Sequence, residues 1–246
     1  MDNTYFDNQE WLNARLGRFT ASEISKLFVG PRSKSAGMFG DTAMTYIRTK
    51  AAEILTQEVK EEINFKQAEH GKATEPFACA AFEKKMGIKG YYFGASEPKF
   101  YEFGDFEGCS PDWEGLQAEA GADFKCPYNS SEHLKNLAIP SAAELKEERF
   151  EYYSQLQFSM LRRGWKVAYF VSYDSRFVYD WMQLKIIPVY PDSAWITEFE
   201  TRIIEATKIL KSLVKSFSNP DAFIATNDPK VGAIIIEPAQ IKLQKI

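Results

Sequence analysis

Glu75, Asp112, Asp123 and Lys125 are the residues of this chain whose types and spacing could do chemistry. Asp123 and Lys125 stand two apart in Gly121-Ala122-Asp123-Phe124-Lys125-Cys126-Pro127. Alternation there fits a strand, so the spacing predicts that both side chains share one face while Phe124 turns into the core. Asp112 lies just past a short run, Phe106 to Ser110, that can form the neighbouring strand. If the two strands pair, two carboxylates and one ammonium converge. With Glu75 added, three acidic groups would repel one another in a dry site unless a cation lay between them, and all-oxygen ligands suit magnesium or manganese. Such a set can hydrolyse a phosphodiester, and it gives Lys125 a role. Taken alone, Asp123 and Lys125 would be an ion pair on an edge strand, and Asp112 would cap a turn after Pro111.

The composition supports a buried core around such a site. The chain has 246 residues, 45% hydrophobic and 15% aromatic, with no Gly/Ser-rich or Pro-rich linker, so one domain over residues 1–217 with a tail over 218–246 is expected. No apolar stretch approaches the length of a membrane span, and Met1-Asp2-Asn3-Thr4 lacks the features of a signal peptide, so a cytoplasmic protein is expected. Cys79, Cys109 and Cys126 are odd in number and unpaired in spacing, which argues against a disulfide framework or a zinc site. The net charge of −4 argues against indiscriminate coating of DNA but not against a local basic patch. The chain lacks a Gly-x-x-x-x-Gly-Lys-Ser/Thr loop, so it encodes no nucleotide-driven motor. With only His70 and His133, a histidine nuclease or Ser-His-Asp hydrolase has almost no material, and His133 reads as a polar surface residue.

The elements that must position the site follow from periodicity. Asp7 to Leu16 suggests a short helix ended by Gly17, and Thr20-Ala21-Ser22-Glu23 is a capping box for a second helix to about Phe28. Gly30 to Ser35 reads as a flexible basic loop holding Arg32 and Lys34, which are expected to touch the duplex backbone. Asp41 can cap a helix to about Thr56. A further helix over Phe65 to Lys85 would start anew or kink at Pro76, placing Glu75 at a break. Tyr91 to Pro127 reads as a meander of strands, Glu144 to Arg163 as a helix, Lys166 to Tyr173 and Tyr179 to Val189 as strands, and Ser193 to Phe217 as an amphipathic helix. The order implies an α/β or α+β sandwich with a mixed sheet flanked by helices.

In these residues the chain resembles the lambda exonuclease and YqaJ family of phage recombination nucleases, a branch of the PD-(D/E)XK superfamily. The resemblance runs from Trp11 to about Asp174. It rests on Trp11 with Arg15-Leu16-Gly17 and Thr20-Ala21-Ser22-Glu23, on Gly71-Lys72 with Glu75, on Ser110-Pro111-Asp112, on Asp123-Phe124-Lys125-Cys126-Pro127, and on Tyr153-Ser154-Gln155-Leu156-Gln157 with Met160. Five motifs in order are specific where each alone would be weak. Asp123 stands where the family's best-known member has Glu. The resemblance leaves open which residue would split the duplex, with Met38 and Phe39 as candidates.

The resemblance implies two-metal hydrolysis, with Mg2+ as the ion and Mn2+ able to substitute. Asp112 would bridge two ions, Asp123 and the carbonyl of Phe124 would hold the first, Glu75 would serve the second, and Lys125 would orient the water or neutralise developing charge. Arg15, Ser22 and Ser110 would form a pocket for a 5′ phosphate; otherwise Ser22 caps a helix and Arg15 makes a surface ion pair. Gln155 would reach the scissile region, and Gln157 would either touch DNA or be a satisfied polar residue. The implied activity is an ATP-independent exonuclease that digests one strand of linear duplex DNA from a 5′-phosphorylated end and leaves 3′ overhangs for recombination. The implied partners are double-stranded DNA, a ring-shaped homotrimer and a single-strand annealing protein. A structure-specific or distributive endonuclease and a catalytically silent DNA-binding protein are the rival readings.

Overall fold

Phe82 marks the inner face of the sheet that carries the site. A computed structural model describes residues 4–33, 37–59, 65–94, 98–117 and 119–218. In it Phe82 projects from helix α3 (Phe65–Met86) against Trp113, Phe124 and Tyr169, with ring centroids 5.2, 5.9 and 5.3 Å away. These rings come from strands β5 (Trp113–Gly115), β6 (Ala120–Lys125) and β7 (Val167–Tyr173). With β2 (Gly90–Tyr92) and β8 (Leu184–Val189) they form a five-stranded sheet in the order β2-β5-β6-β7-β8. β6 and β7 are parallel and the other pairs antiparallel, so the sheet is mixed.

The opposite face packs on helix α6 (Phe150–Arg163), whose Leu156, Phe158 and Met160 are buried with Ala168, Phe170 and Ile187 of the sheet. This second core also takes in a 3-10 helix (Ala21–Phe28), helix α2 (Asp41–Thr56) and helix α7 (Ser193–Phe217). Phe124 and Ala122 face α3. Period-two alternation therefore turns Asp123 and Lys125 toward α6, and the expectation that they share a face opposite Phe124 is met. A small sheet of β1 (Phe19–Thr20), β4 (Glu107–Cys109) and β3 (Tyr101–Phe103), in the order β1-β4-β3, lies beside the main one. Helix α1 (Thr4–Arg15) precedes it, and helices α4 (Ser130–Ala138) and α5 (Ala142–Glu148) connect β6 to α6.

Several expectations are corrected. The Phe106–Ser110 run becomes β4 but does not pair with β6: both its edges are taken by β1 and β3, leaving it no free hydrogen-bonding edge. The antiparallel neighbour of β6 is β5, which begins just after Asp112. The capping box does not form, and the segment is 3-10 rather than α. The Thr20 N–H that Glu23 would have accepted instead goes to the Tyr46 hydroxyl at 3.0 Å, and Glu23 pairs with Lys26 and Lys50. Gly40, not Asp41, occupies the cap position of α2; Asp41 is its first residue, where its charge suits the helix dipole. Helix α3 runs unbroken through Pro76. The single helix expected over Glu144–Arg163 is two, parted at Arg149 (φ −138°, ψ 57°), whose guanidinium bonds Glu132 at 2.9 Å.

The strand expected from Tyr179 starts at Leu184, because a 3-10 turn over Asp180–Met182 closes first. His133 is buried, not a surface residue: its ring nitrogens contact Ser172 Oγ and the Met182 carbonyl, each at 2.8 Å. Phe39 belongs to the core, so it is not available to split a duplex. Lys34 and residues 219–246 lie outside the described residues. Among the described residues no helix is long and apolar enough to cross a membrane.

Candidate active site

Asp112 ends the passage from the small sheet to the large one. There the chain turns at Pro111, which has no N–H to donate, and the Asp112 carboxylate reaches across to β6. Its Oδ2 accepts the Phe124 N–H at 2.6 Å, while the Asp112 carbonyl accepts the Phe93 N–H at 2.8 Å. Asp112 thus converges on Asp123 and Lys125 even though its flanking strand is not the one expected. The alternation of β6 leaves the Phe124 backbone, between the two side chains, for Asp112 to hold.

Asp123 is buried, and two groups fix it. Gln155 of α6 donates from Nε2 to Asp123 Oδ1 at 2.6 Å and accepts from Lys125 Nζ at 3.3 Å. Lys125 Nζ stands 2.5 Å from Asp123 Oδ2 as an ion pair, and among the described residues that buried oxygen has no other partner. Tyr152, one helical turn before Gln155, presents its ring 5.0 Å from Lys125 Nζ. Tyr152 carries no motif of its own in the sequence. Its spacing of three from Gln155 puts both on one helix face, and that was the available signal.

Glu75 comes from the α3 layer, where the Tyr92 hydroxyl donates to its Oε2 at 3.4 Å. Burial raises the Glu75 proton affinity; Lys125 opposes this and Asp123 adds to it. Asp112 is held well above the usual carboxylate range by burial, then by Asp123 and Glu75. Burial would lower Lys125, but the carboxylates of Asp123 and Asp112 outweigh it and hold the ammonium above its ordinary value. Three acidic groups against one ammonium leave an excess of negative charge in a poorly hydrated place.

That donor set fits a hard divalent cation: the side-chain donors are all carboxylate oxygens, and their charge exceeds that of the one ammonium facing them. Among the described residues no three such side chains are already closed into a metal cage. Lys125 and Gln155 occupy the Asp123 carboxylate instead. The two buried thiols, Cys79 and Cys109, and the half-buried Cys126 are free, and burial pushes each thiol up.

The other residues expected at the site divide. Trp11 joins Arg15 and Ser110: its ring lies 4.2 Å from the Arg15 guanidinium, and its Nε1 donates to Ser110 Oγ at 3.2 Å. Ser110 in turn donates to the Lys99 carbonyl at 2.7 Å. Ser22 is exposed, with its hydroxyl 3.4 Å from Thr20 Oγ1. Arg32 is exposed on its loop. Of the two readings of Gln157 the satisfied polar residue holds and the DNA contact does not: it is fully buried, donating to the Tyr190 carbonyl at 2.8 Å and accepting the Asp192 N–H at 3.0 Å, so its amide is spent on tying α6 to the start of α7.

A model of the YqaJ-like viral recombinase domain matches residues 10–164. Among solved structures the chain is similar to an alkaline exonuclease (LHK-Exo) from Laribacter hongkongensis, at 26% identity and TM-score 0.68 over 88% of this chain and 100% of that one. The same exonuclease in complex with dAMP aligns at 25% identity and TM-score 0.69 over the same shares. A phage related exonuclease from Haemophilus somnus 129PT shares the fold, at 20% identity and TM-score 0.64 over 81% of this chain and 96% of that one. Comparison with curated proteins gives no match. The mixed α/β architecture of PD-(D/E)XK type expected from the sequence is thereby borne out.

Proposed function

Because this chain belongs to the YqaJ-like viral recombinase family, we propose that it is a deoxyribonuclease that digests one strand of linear duplex DNA from a 5′-phosphorylated end without ATP, leaving 3′ overhangs for recombination. The observation that carries this reading is the convergence of Asp112, Asp123 and Lys125, braced by the Phe124 N–H and by Gln155. Asp112, Asp123, the Phe124 carbonyl and Glu75 are the groups that would hold Mg2+, two ions in all, with Mn2+ able to substitute. Bound there, such ions supply an activated water and charge for the leaving 3′ oxygen.

The chain's own residues do the rest. Lys125 presents a fixed ammonium where negative charge develops, and its pairing with Asp123 keeps it protonated. Gln155 fixes the Asp123 carboxylate and the Lys125 ammonium together, so neither reorganises during the reaction. Arg15, set against Trp11 beside Ser110, supplies a planar guanidinium for a terminal phosphate, and the Ser22 hydroxyl would complete that pocket. Arg32 and Lys34 track the duplex backbone. A mononucleotide product is in keeping with the dAMP complex of the Laribacter exonuclease. One nuclease domain through residue 217, a homotrimer threaded by DNA in the bacterial cytoplasm, and a single-strand annealing protein as partner complete the reading.

The test is a duplex phosphorylated on one 5′ end and labelled in turn at each end of that strand. Early release of the 5′ label as a mononucleotide, slowed at subsaturating DNA by Arg15→Ala, is expected. Early release of the 3′ label, or internal fragments first, would overturn the polarity and favour an endonuclease.

A further inference from the structure

The loop joining β7 to β8, at the end of the sheet where β6 reaches Lys125, exposes a pair of stacked rings. Val178 is 89% exposed, Tyr179 54% and Trp181 74%. The Tyr179 and Trp181 rings stack with centroids 4.5 Å apart and planes 18° apart. We propose that this tip is a stacking platform for the single-stranded DNA laid bare when the opposite strand is digested. The proposal rests on the nuclease reading above and adds the path of the uncut strand.

Position is the first support. β6 and β7 run parallel with Lys125 paired to Ser172, so β7 leaves the sheet at the same edge as the catalytic lysine, and the loop begins two residues later. A cleft of about 270 Å³ opens beside Lys125 between Tyr128, Asn129, Arg149 and Tyr152. It is far too small for a duplex and of a size with a single nucleotide. Its rim is tied to the loop, because Arg176 donates from Nη1 to the Tyr128 carbonyl at 2.9 Å and from Nη2 to the Pro127 carbonyl at 3.0 Å.

The second support is that the loop is built rigidly under an exposed apolar tip. Asp174, buried, holds Arg176 at 2.8 Å and so aims it at those carbonyls. Phe177 packs edge-on against buried His133 at 5.1 Å, and the Phe177 carbonyl accepts from Gln183 Nε2 at 2.8 Å. The Met182 carbonyl is held by His133. A rigid base with its largest side chains turned outward places the two rings without burying them.

The chemistry favours a single strand over a duplex or a phosphate grip. Bases of a duplex hide their faces against one another, whereas a single strand offers every base to an aromatic ring, with little sequence preference. Asp180 sits between the two rings in the sequence and repels phosphate, so the contact is to base faces. It follows that the tip contributes affinity without adding to the salt dependence.

The test uses full-length Lys125→Ala protein, to hold DNA uncut, and a blunt duplex against the same duplex with a 3′ overhang of about ten nucleotides. The overhang is expected to tighten binding about tenfold and to quench tryptophan emission. Trp181→Ala is expected to return the overhang duplex to the affinity of the blunt one with an unchanged salt slope, and Trp181→Phe to keep most of the gain. Equal weakening of both duplexes, no change in either, or a changed mass by light scattering would overturn the proposal; the last would mean that a second copy covers the tip. Failure to bind any DNA would refute the nuclease reading itself, and the platform with it.

Discussion

Gln155→Ala is the substitution that most sharply separates bracing from binding. Gln155 makes two contacts inside the site, a 2.6 Å donation to Asp123 Oδ1 and a 3.3 Å acceptance from Lys125 Nζ. A hydrogen bond to a charged group contributes about 1.5–3 kcal/mol. Each 1.4 kcal/mol is tenfold in rate, so if the bond to Asp123 holds the catalytic arrangement, kcat falls about 10- to 150-fold, with KM for DNA little changed. Gln155→Glu should cost more, because a further carboxylate would stand against Asp123 and also compete for Lys125. The assay is the initial rate of digestion of saturating linear duplex, with thermal unfolding measured in parallel to confirm the fold. A kcat within twofold of wild type together with a raised KM would refute this reasoning and make Gln155 a DNA contact.

Further predictions concern the frame around the site. Buried Glu114 accepts from Arg163 at 2.7 Å, from the Trp165 indole at 2.8 Å and from the Tyr101 hydroxyl at 3.3 Å, so Glu114→Ala should lower unfolding stability by about 3–5 kcal/mol; a loss under 1 kcal/mol by urea titration would contradict that. Phe82→Ala, in the core between α3 and the sheet, should cost about 3–5 kcal/mol. Asp192 caps α7 through the Ala194 and Trp195 N–H groups and also bonds Lys146 and Tyr153; against burial, these partners hold its carboxyl at about 2. Its stabilising effect should be full above its ordinary value near 3.8 and fade as pH falls toward about 2, so unfolding free energies of wild type and Asp192→Ala from urea titration should differ at neutral pH by about 1–2 kcal/mol and converge in acid. Burial lowers the pKa of His133, so the unfolded chain takes up a proton near 6.5 before the folded one does; stability should be full above that pH and decline below it, a slope that His133→Asn should remove.

The chemistry of the site was legible because strand alternation is a local rule. Asp123 and Lys125 share a face opposite Phe124 whatever else the fold does. What surrounds them depends on partners distant in sequence. The pairing of β4 was misread because the Phe106–Ser110 run does not reveal that β1 and β3 will claim both its edges. The capping box failed for a similar reason: the Tyr46 hydroxyl, on another helix, satisfies the Thr20 N–H first. Gln155 and Gln157 look alike in sequence, yet the turn of α6 sends one to Asp123 and the other into the core beneath Tyr190. The break at Arg149 was hidden because both flanks are good helix formers, while the Arg149–Glu132 contact comes from a segment 17 residues away.

Digestion of linear duplex DNA decides whether Asp112, Asp123 and Lys125 form a divalent-metal hydrolytic site. Wild type would be assayed with Mg2+, with EDTA, and with EDTA followed by excess Mg2+, beside folded Lys125→Ala and Asp123→Asn. Cleavage with Mg2+, none with EDTA, recovery on adding Mg2+ back, and loss of at least about two orders of magnitude in either variant are expected. Undiminished cleavage in EDTA, or by either variant, would contradict such a site.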